Sequence, residues 1–331
     1  MDWTGVGLLS ELGYPTVAEL EAGARTLTER RPGLCSLRRI GVSRAGRPLR
    51  LLSVGHARRA VLVVAGAHAN EPNGGSTVLA LAERVARERE LRSGVSWHFV
   101  LCADPDGASL HTTPAPRTLL DYHLGFFRPA GPEQPEWSPS VLPPDRLPPE
   151  THALFGVLDE LRPYLQVTLH GTDLGGSWVQ LTRNVPGLAE PFAKSAAELG
   201  IPVERSASDA AGWPVSGPGV FVMPRPGGHP AYPSMPDDAR HSTWYHAHRY
   251  GGLTAVVEVP MWAGCPALTP SGTTSGTSSA PASWNSPSGC PTAPTAPSCP
   301  RPAPCSTSRT NCGPSSSARC TASTSAAASS S

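Results

Sequence analysis

The chain has 331 residues and a formal net charge of +1, with 16% charged and 39% hydrophobic residues. That balance argues against a basic nucleic-acid binder and against electrostatic docking to a membrane, and no apolar run approaches the roughly 20 residues of a transmembrane helix. The opening MDWTGVGLLSELGYPTVAEL lacks the basic n-region and continuous apolar h-region of a secretory signal, so a soluble, cytoplasmic protein with no nucleic-acid or membrane partner is expected.

In chain order, residues 4–30 predict one or two amphipathic helices, followed by strands at 36–43 and 47–55 around a turn at Ala45-Gly46. Val61 to Ala67 is short, aliphatic and bounded by turn residues, which predicts a fully buried strand over 60–67. After Gly74-Gly75, Val78, Leu81, Ala82 and Val85 recur at helical spacing and predict a helix over 76–91. VSWHFVLCA (95–103) predicts another buried strand, and DPDG after it a turn. Residues 111–150 are Pro-rich and too long for a plain connection, which marks a functional loop region. Leu154, Phe155, Leu158 and Leu161 predict a helix stopped by Pro163; strands follow at 164–171 and 177–183, then a helix at 188–199. A Gly/Pro-rich loop is expected over 211–236, a polar helix over 239–250 with His241, His246 and His248 on a solvated face, and a last strand over 253–260.

Strands alternating with helices predict one α/β domain over residues 1–264, with a largely parallel or mixed sheet covered on both faces. Residues 265–331 contain no Asp, Glu, Lys, Val, Ile, Phe or Tyr and carry six of the eight cysteines without a CxxC pair. Such a segment buries too little apolar surface to offset its conformational entropy, so a disordered tail is expected, and the abrupt switch suggests translation out of frame.

Three of the predicted strands end in chemically capable residues: His68 with Glu71, His170, and Glu258. His-x-x-Glu sets both side chains on one side of a turn, and His170 would come from a separate strand end. Two histidines and a carboxylate with one position open for water make a catalytic zinc arrangement, and a further carboxylate is needed to move protons. Glu258 is the candidate. The alternatives are a hydrogen-bonded His170 at a strand end and a Glu258 that shares a solvated sheet face with Thr254 and Val256, although a carboxylate on a covered sheet costs several kcal/mol unless paired.

GAHANEPNGG, DPDG, FFRPAG, TLHG and AVVEVP, in this order over residues 36–264, resemble the zinc carboxypeptidase (metallocarboxypeptidase) family. The resemblance implies an α/β/α sandwich around a mixed, mainly parallel sheet of about eight strands. It implies one Zn²⁺ per chain on His68, Glu71 and His170, with Glu258 as general base and Arg128 as the arginine that polarises the scissile carbonyl. The Asn-Arg pair with which the family grips a terminal carboxylate is missing, since residues 129–169 hold only Arg146 and Arg162, neither preceded by Asn. The family's mobile tyrosine has no well-spaced match; Tyr232 and Tyr245 are in range, and Tyr245 is expected to pack its own helix. The expected activity is hydrolysis of a peptide amide; the alternatives are a deacylase or amidase acting on an N-acyl amino acid or related small amide, and a non-catalytic or misfolded product with a damaged C-terminus. Oligomeric state is left open.

Overall fold

The computed structural model describes residues 13–111, 118–224 and 241–263. The expected tail over 265–331, the part of the first helical region before residue 13, and Tyr232 lie outside the described residues. Nine strands form one sheet: β1 (Cys35–Val42), β2 (Pro48–Val54), β3 (Ala60–Val64), β4 (Ser96–Val100), β5 (Leu165–Gly175), β6 (Trp178–Leu181), β7 (Val215–Gly217), β8 (Val220–Val222) and β9 (Leu253–Ala263). Their order is β1-β2-β4-β3-β5-β9-β6-β8-β7. The run β4-β3-β5-β9 is parallel, while β1, β2, β6 and β7 each make antiparallel pairings at the flanks. The expected mixed, mainly parallel sheet is present with nine strands in place of eight.

The helices are α1 (Val17–Arg30), α2 (Asn73–Arg87), α3 (Pro105–Ala108), α4 (Leu119–Leu124), α5 (Pro149–Leu161), α6 (Ala189–Glu198) and α7 (Thr243–His246). All five residues of β3 are buried because both faces are covered. Val61 and Val63 point into a core with Leu20, Ala24 and Leu27 of α1 and Val78, Leu79, Ala82 and Val85 of α2. Leu62 and Val64 point the other way, onto Leu154, Val157 and Leu158 of α5. Each such fully buried aliphatic side chain contributes about 1.5–3 kcal/mol of transfer free energy.

Local chemistry sets the element ends near the future site. Gly66 has φ +62°, and a Cβ there would lie 2.7 Å from Cys102 Sγ, so only glycine makes this turn beside β4. α2 begins at Asn73, three residues earlier than the periodicity predicts, and a Cβ on Gly75 would meet Leu20 Cδ1 of α1 at 2.8 Å. The paired glycines therefore let α2 start hard against the sheet and α1. α5 opens on Pro149 and closes at Arg162 in the left-handed region, directly before Pro163.

Two expectations are corrected. The loop expected over 211–236 contains β7 and β8, strands of three residues each, held by the pairing of β8 with β6 and of β7 with β8 rather than by any sequence period. The polar helix over 239–250 reduces to one α-turn and a 3₁₀ turn at Ala247–Tyr250, and two of its histidines are not on a solvated face. His246 is buried, stacked on Phe155 and bonded to Asp159 at 2.5 Å, while His248 bonds Thr182 at 2.7 Å. Tyr245 is buried as expected. Among the described residues no helix is long and apolar enough to cross a membrane.

Candidate active site

A cavity of about 530 Å³ opens at the carboxyl ends of the parallel core strands, where α/β sheets form their sites. Glu71 N–H donates to the His68 carbonyl at 3.2 Å, a turn that carries the chain from β3 to α2 and turns both side chains into the cavity. His170 comes from β5, so the structure brings together all three expected ligands.

Their donor atoms converge. His68 Nδ1 lies 2.8 Å from Glu71 Oε1, His170 Nδ1 lies 3.0 Å from Glu71 Oε2, and the two Nδ1 atoms are 3.1 Å apart. Tetrahedral zinc with bonds of about 2.0–2.1 Å holds its ligand atoms about 3.3 Å apart, so a few tenths of an ångström of relaxation admits the ion. Two imidazoles and a carboxylate at this spacing fit zinc, and the three residues form a cluster able to hold a metal.

The surroundings orient this set. His170 Nε2 faces Glu136 Oε2 at 3.0 Å, which leaves its proton on Nε2 and Nδ1 free for the metal side. Glu136 is itself held by Thr168 Oγ1 at 2.8 Å and Trp244 Nε1 at 2.9 Å. Burial opposes protonation of His170, but the bonds to Glu136 and Glu71 outweigh it and hold its pKa well above the usual value. Burial lowers the pKa of His68. Burial also opposes ionisation of Glu71, yet the two histidines keep its carboxyl far below the usual range.

Glu258 stands directly beside His170 in the β5–β9 register and beside Trp178 in the β9–β6 register. Thr254, Val256 and Glu258 are all buried, so the face that they share is covered and the solvated alternative is overturned. Burial pushes the Glu258 carboxyl up to about 8, with Glu71 and Asp209 adding to the shift and His170 and Arg128 opposing it. Arg128, in the loop after α4, reaches Glu71 Oε1 with Nη1 and His68 Nε2 with Nη2, both at 3.1 Å. It is the only arginine or lysine on the cavity wall among the described residues. Arg146 sits in an outer turn, and Arg162 lies over the Tyr250 ring at 5.3 Å, so neither supplies a carboxylate grip.

Along residues 20–174 the sequence matches the zinc carboxypeptidase family. The matched segment is just under half of the chain; it holds His68, Glu71, Arg128 and His170, and ends before Glu258. In fold, the chain is similar to a metallo-carboxypeptidase of Burkholderia cenocepacia, with a TM-score of 0.50 at 18% identity over 75% of this chain and 60% of the other. It is likewise similar to the carboxypeptidase A of Helicoverpa armigera, with a TM-score of 0.50 at 14% identity over 76% of this chain and 66% of the other. The chain thus spans less than two thirds of the length of either carboxypeptidase. No curated protein matches it.

Sequence reasoning missed Glu136 behind His170, and Gln180, Trp137, Trp213 and Trp244 on the cavity wall. Glu136 lies between Pro135 and Trp137 in an aperiodic stretch. The available signal was compositional: Trp137 and Trp213 sit in segments otherwise rich in Pro and Gly.

Proposed function

We propose that residues 1–264 form the catalytic domain of a zinc-dependent hydrolase that cleaves an amide bond in a peptide. The observation that carries this is the convergence of His68, Glu71 and His170 with the buried Glu258 on the next strand, all facing one cavity. Zinc held by the three ligands would lower the pKa of a water and polarise a carbonyl. Glu258 is the group that takes the proton from that water and returns it to the leaving nitrogen. Its raised pKa suits a proton carrier near neutral pH, and a dication beside it favours its ionised form. Arg128, with a partly exposed guanidinium, offers donors to the carbonyl oxygen as charge develops there.

The absence of any arginine but Arg128 from the described cavity wall favours a second version of this chemistry. In it, the substrate is a small amide cleaved by a deacylase or amidase. Both versions require metal. Elemental analysis of the full-length protein is expected to find one zinc per chain, lost in His68→Ala, with hydrolysis of a peptide panel abolished by chelation and restored by zinc. A folded chain that takes up no zinc would overturn the proposal.

A further inference from the structure

The polar groups that face the cavity without partners differ in kind from those that face the metal. Gln180 is 4% exposed, lines the cavity, and pairs its side-chain amide with no described residue. In the antiparallel β6–β9 register it sits opposite Val256, while Trp178 sits opposite Glu258. Alternation therefore puts Gln180 on the same face as Glu258 and one strand further from His170. On the β3 side of the cavity Asn70, also 4% exposed, gives its Nδ2 to the Tyr122 hydroxyl at 2.8 Å and leaves Oδ1 unpartnered. Thr172 Oγ1 on the β5 wall is unpartnered too.

These are neutral amides and a hydroxyl. Besides the two ligand imidazoles, the ionisable groups on the described wall are four carboxyls (Glu71, Asp173, Asp209 and Glu258) against Arg128, whose guanidinium already contacts Glu71. Even with a dication at the triad, the described wall has no surplus positive charge to hold a carboxylate. The Gln180 amide faces the cavity, and a ligand that covers it without pairing it leaves a desolvated amide that costs about 1–3 kcal/mol, so a ligand that pairs it is selected over one that does not. Aromatic rings complete the surface: Trp137 and Trp244 lie 5.3 Å apart, and Trp213 is 5% exposed.

We infer that Gln180 is a specificity-determining residue that receives a neutral amide group next to the scissile bond. The preferred substrate is then an uncharged peptide amide bearing an aromatic side chain, blocked or continued at its C-terminus, and not a peptide ending in a free carboxylate. This rests on the zinc-hydrolase reading for the chemistry, while the recognition belongs to the cavity alone.

The test compares benzoyl-Gly-Phe with its C-terminal carboxamide on the full-length protein, by calorimetric binding and by hydrolysis. The carboxamide is expected to bind at least about tenfold more tightly, as one well-formed hydrogen bond to a buried group provides. Gln180→Met, which keeps length and volume, is expected to erase that preference with zinc content and melting temperature unchanged; Gln180→Glu, which keeps the shape, is expected to worsen binding of the carboxylate. Equal or tighter binding of the carboxylate to the wild type, or a preference that survives in folded Gln180→Met, would overturn the inference. Zinc-dependent cleavage that favours the carboxylate would sink it while leaving the hydrolase standing. Carboxamide-selective binding without any zinc-dependent cleavage would uphold the recognition and sink the hydrolase.

Discussion

Removing the charge on Glu136 should loosen the metal without unfolding the protein. Its carboxylate accepts from His170 Nε2 at 3.0 Å, Trp244 Nε1 at 2.9 Å and Thr168 Oγ1 at 2.8 Å, all inside the core. Glu136→Gln keeps an oxygen for the His170 and Trp244 donors, and the Thr168 hydroxyl can rotate to accept from the new NH₂. What is lost is charge assistance. A charge-assisted bond contributes about 1.5–3 kcal/mol against about 0.5–1.5 for a neutral one, a difference near 1–1.5 kcal/mol. That corresponds to roughly a tenfold loss of zinc affinity, the lower end of the 10–100-fold range for partners of ligating histidines. Glu136→Ala strands three buried donors and should also cost about 2–5 kcal/mol of stability. Competition with a chromophoric chelator measures the affinity, and thermal unfolding measures the stability. A Glu136→Gln protein that holds zinc within twofold of wild type would refute the idea that this carboxylate tunes His170.

Glu258→Gln should keep its zinc and lose about 10²–10⁴-fold in kcat, measured in the same hydrolysis assay. Arg128→Leu should lower kcat about 10²-fold with little change in zinc content if the guanidinium steadies developing charge; an unchanged kcat would remove Arg128 from the chemistry. Burial holds the His98 imidazole down to about 4, with Arg38 adding to the shift. The folded state therefore binds fewer protons than the unfolded chain, so this contribution is full above pH 6.5 and is lost as the pH falls toward 4. His98→Gln, which can still bond Ser53 and Ser96, should flatten that acid limb in a pH series of denaturation curves. Gly66→Ala should cost at least about 1–3 kcal/mol, because the left-handed backbone is strained for alanine and its Cβ meets Cys102.

The parallel core was legible because each of its elements declares itself within a few residues. β3 is an unbroken aliphatic run, and α2 repeats its apolar side chains every three or four positions. His68, Glu71, His170 and Glu258 were found for the same reason: each follows or ends such a run. Where distant contacts decide, the sequence is silent. β7 and β8 are too short to show a period and exist through their pairings. His246 looks like a surface histidine until Asp159 and Phe155, from α5, are brought beside it. Glu136 belongs with His170 only because the aperiodic loop after α4 folds back under β5.

The place of β9 in the sheet carries a consequence for biosynthesis. It pairs with β5 on one side and with β6 on the other, yet it is made after both. From the time Leu181 leaves the ribosome until Leu253 follows it, the strand edges that will receive β9 have no mate. At about 5–20 residues per second, that interval lasts roughly 4–14 s. A nascent chain with two open edges is an invitation to intermolecular pairing. Yield of this protein in a host should therefore depend on how fast residues 182–253 are translated, and slow codons there should divert it into inclusion bodies.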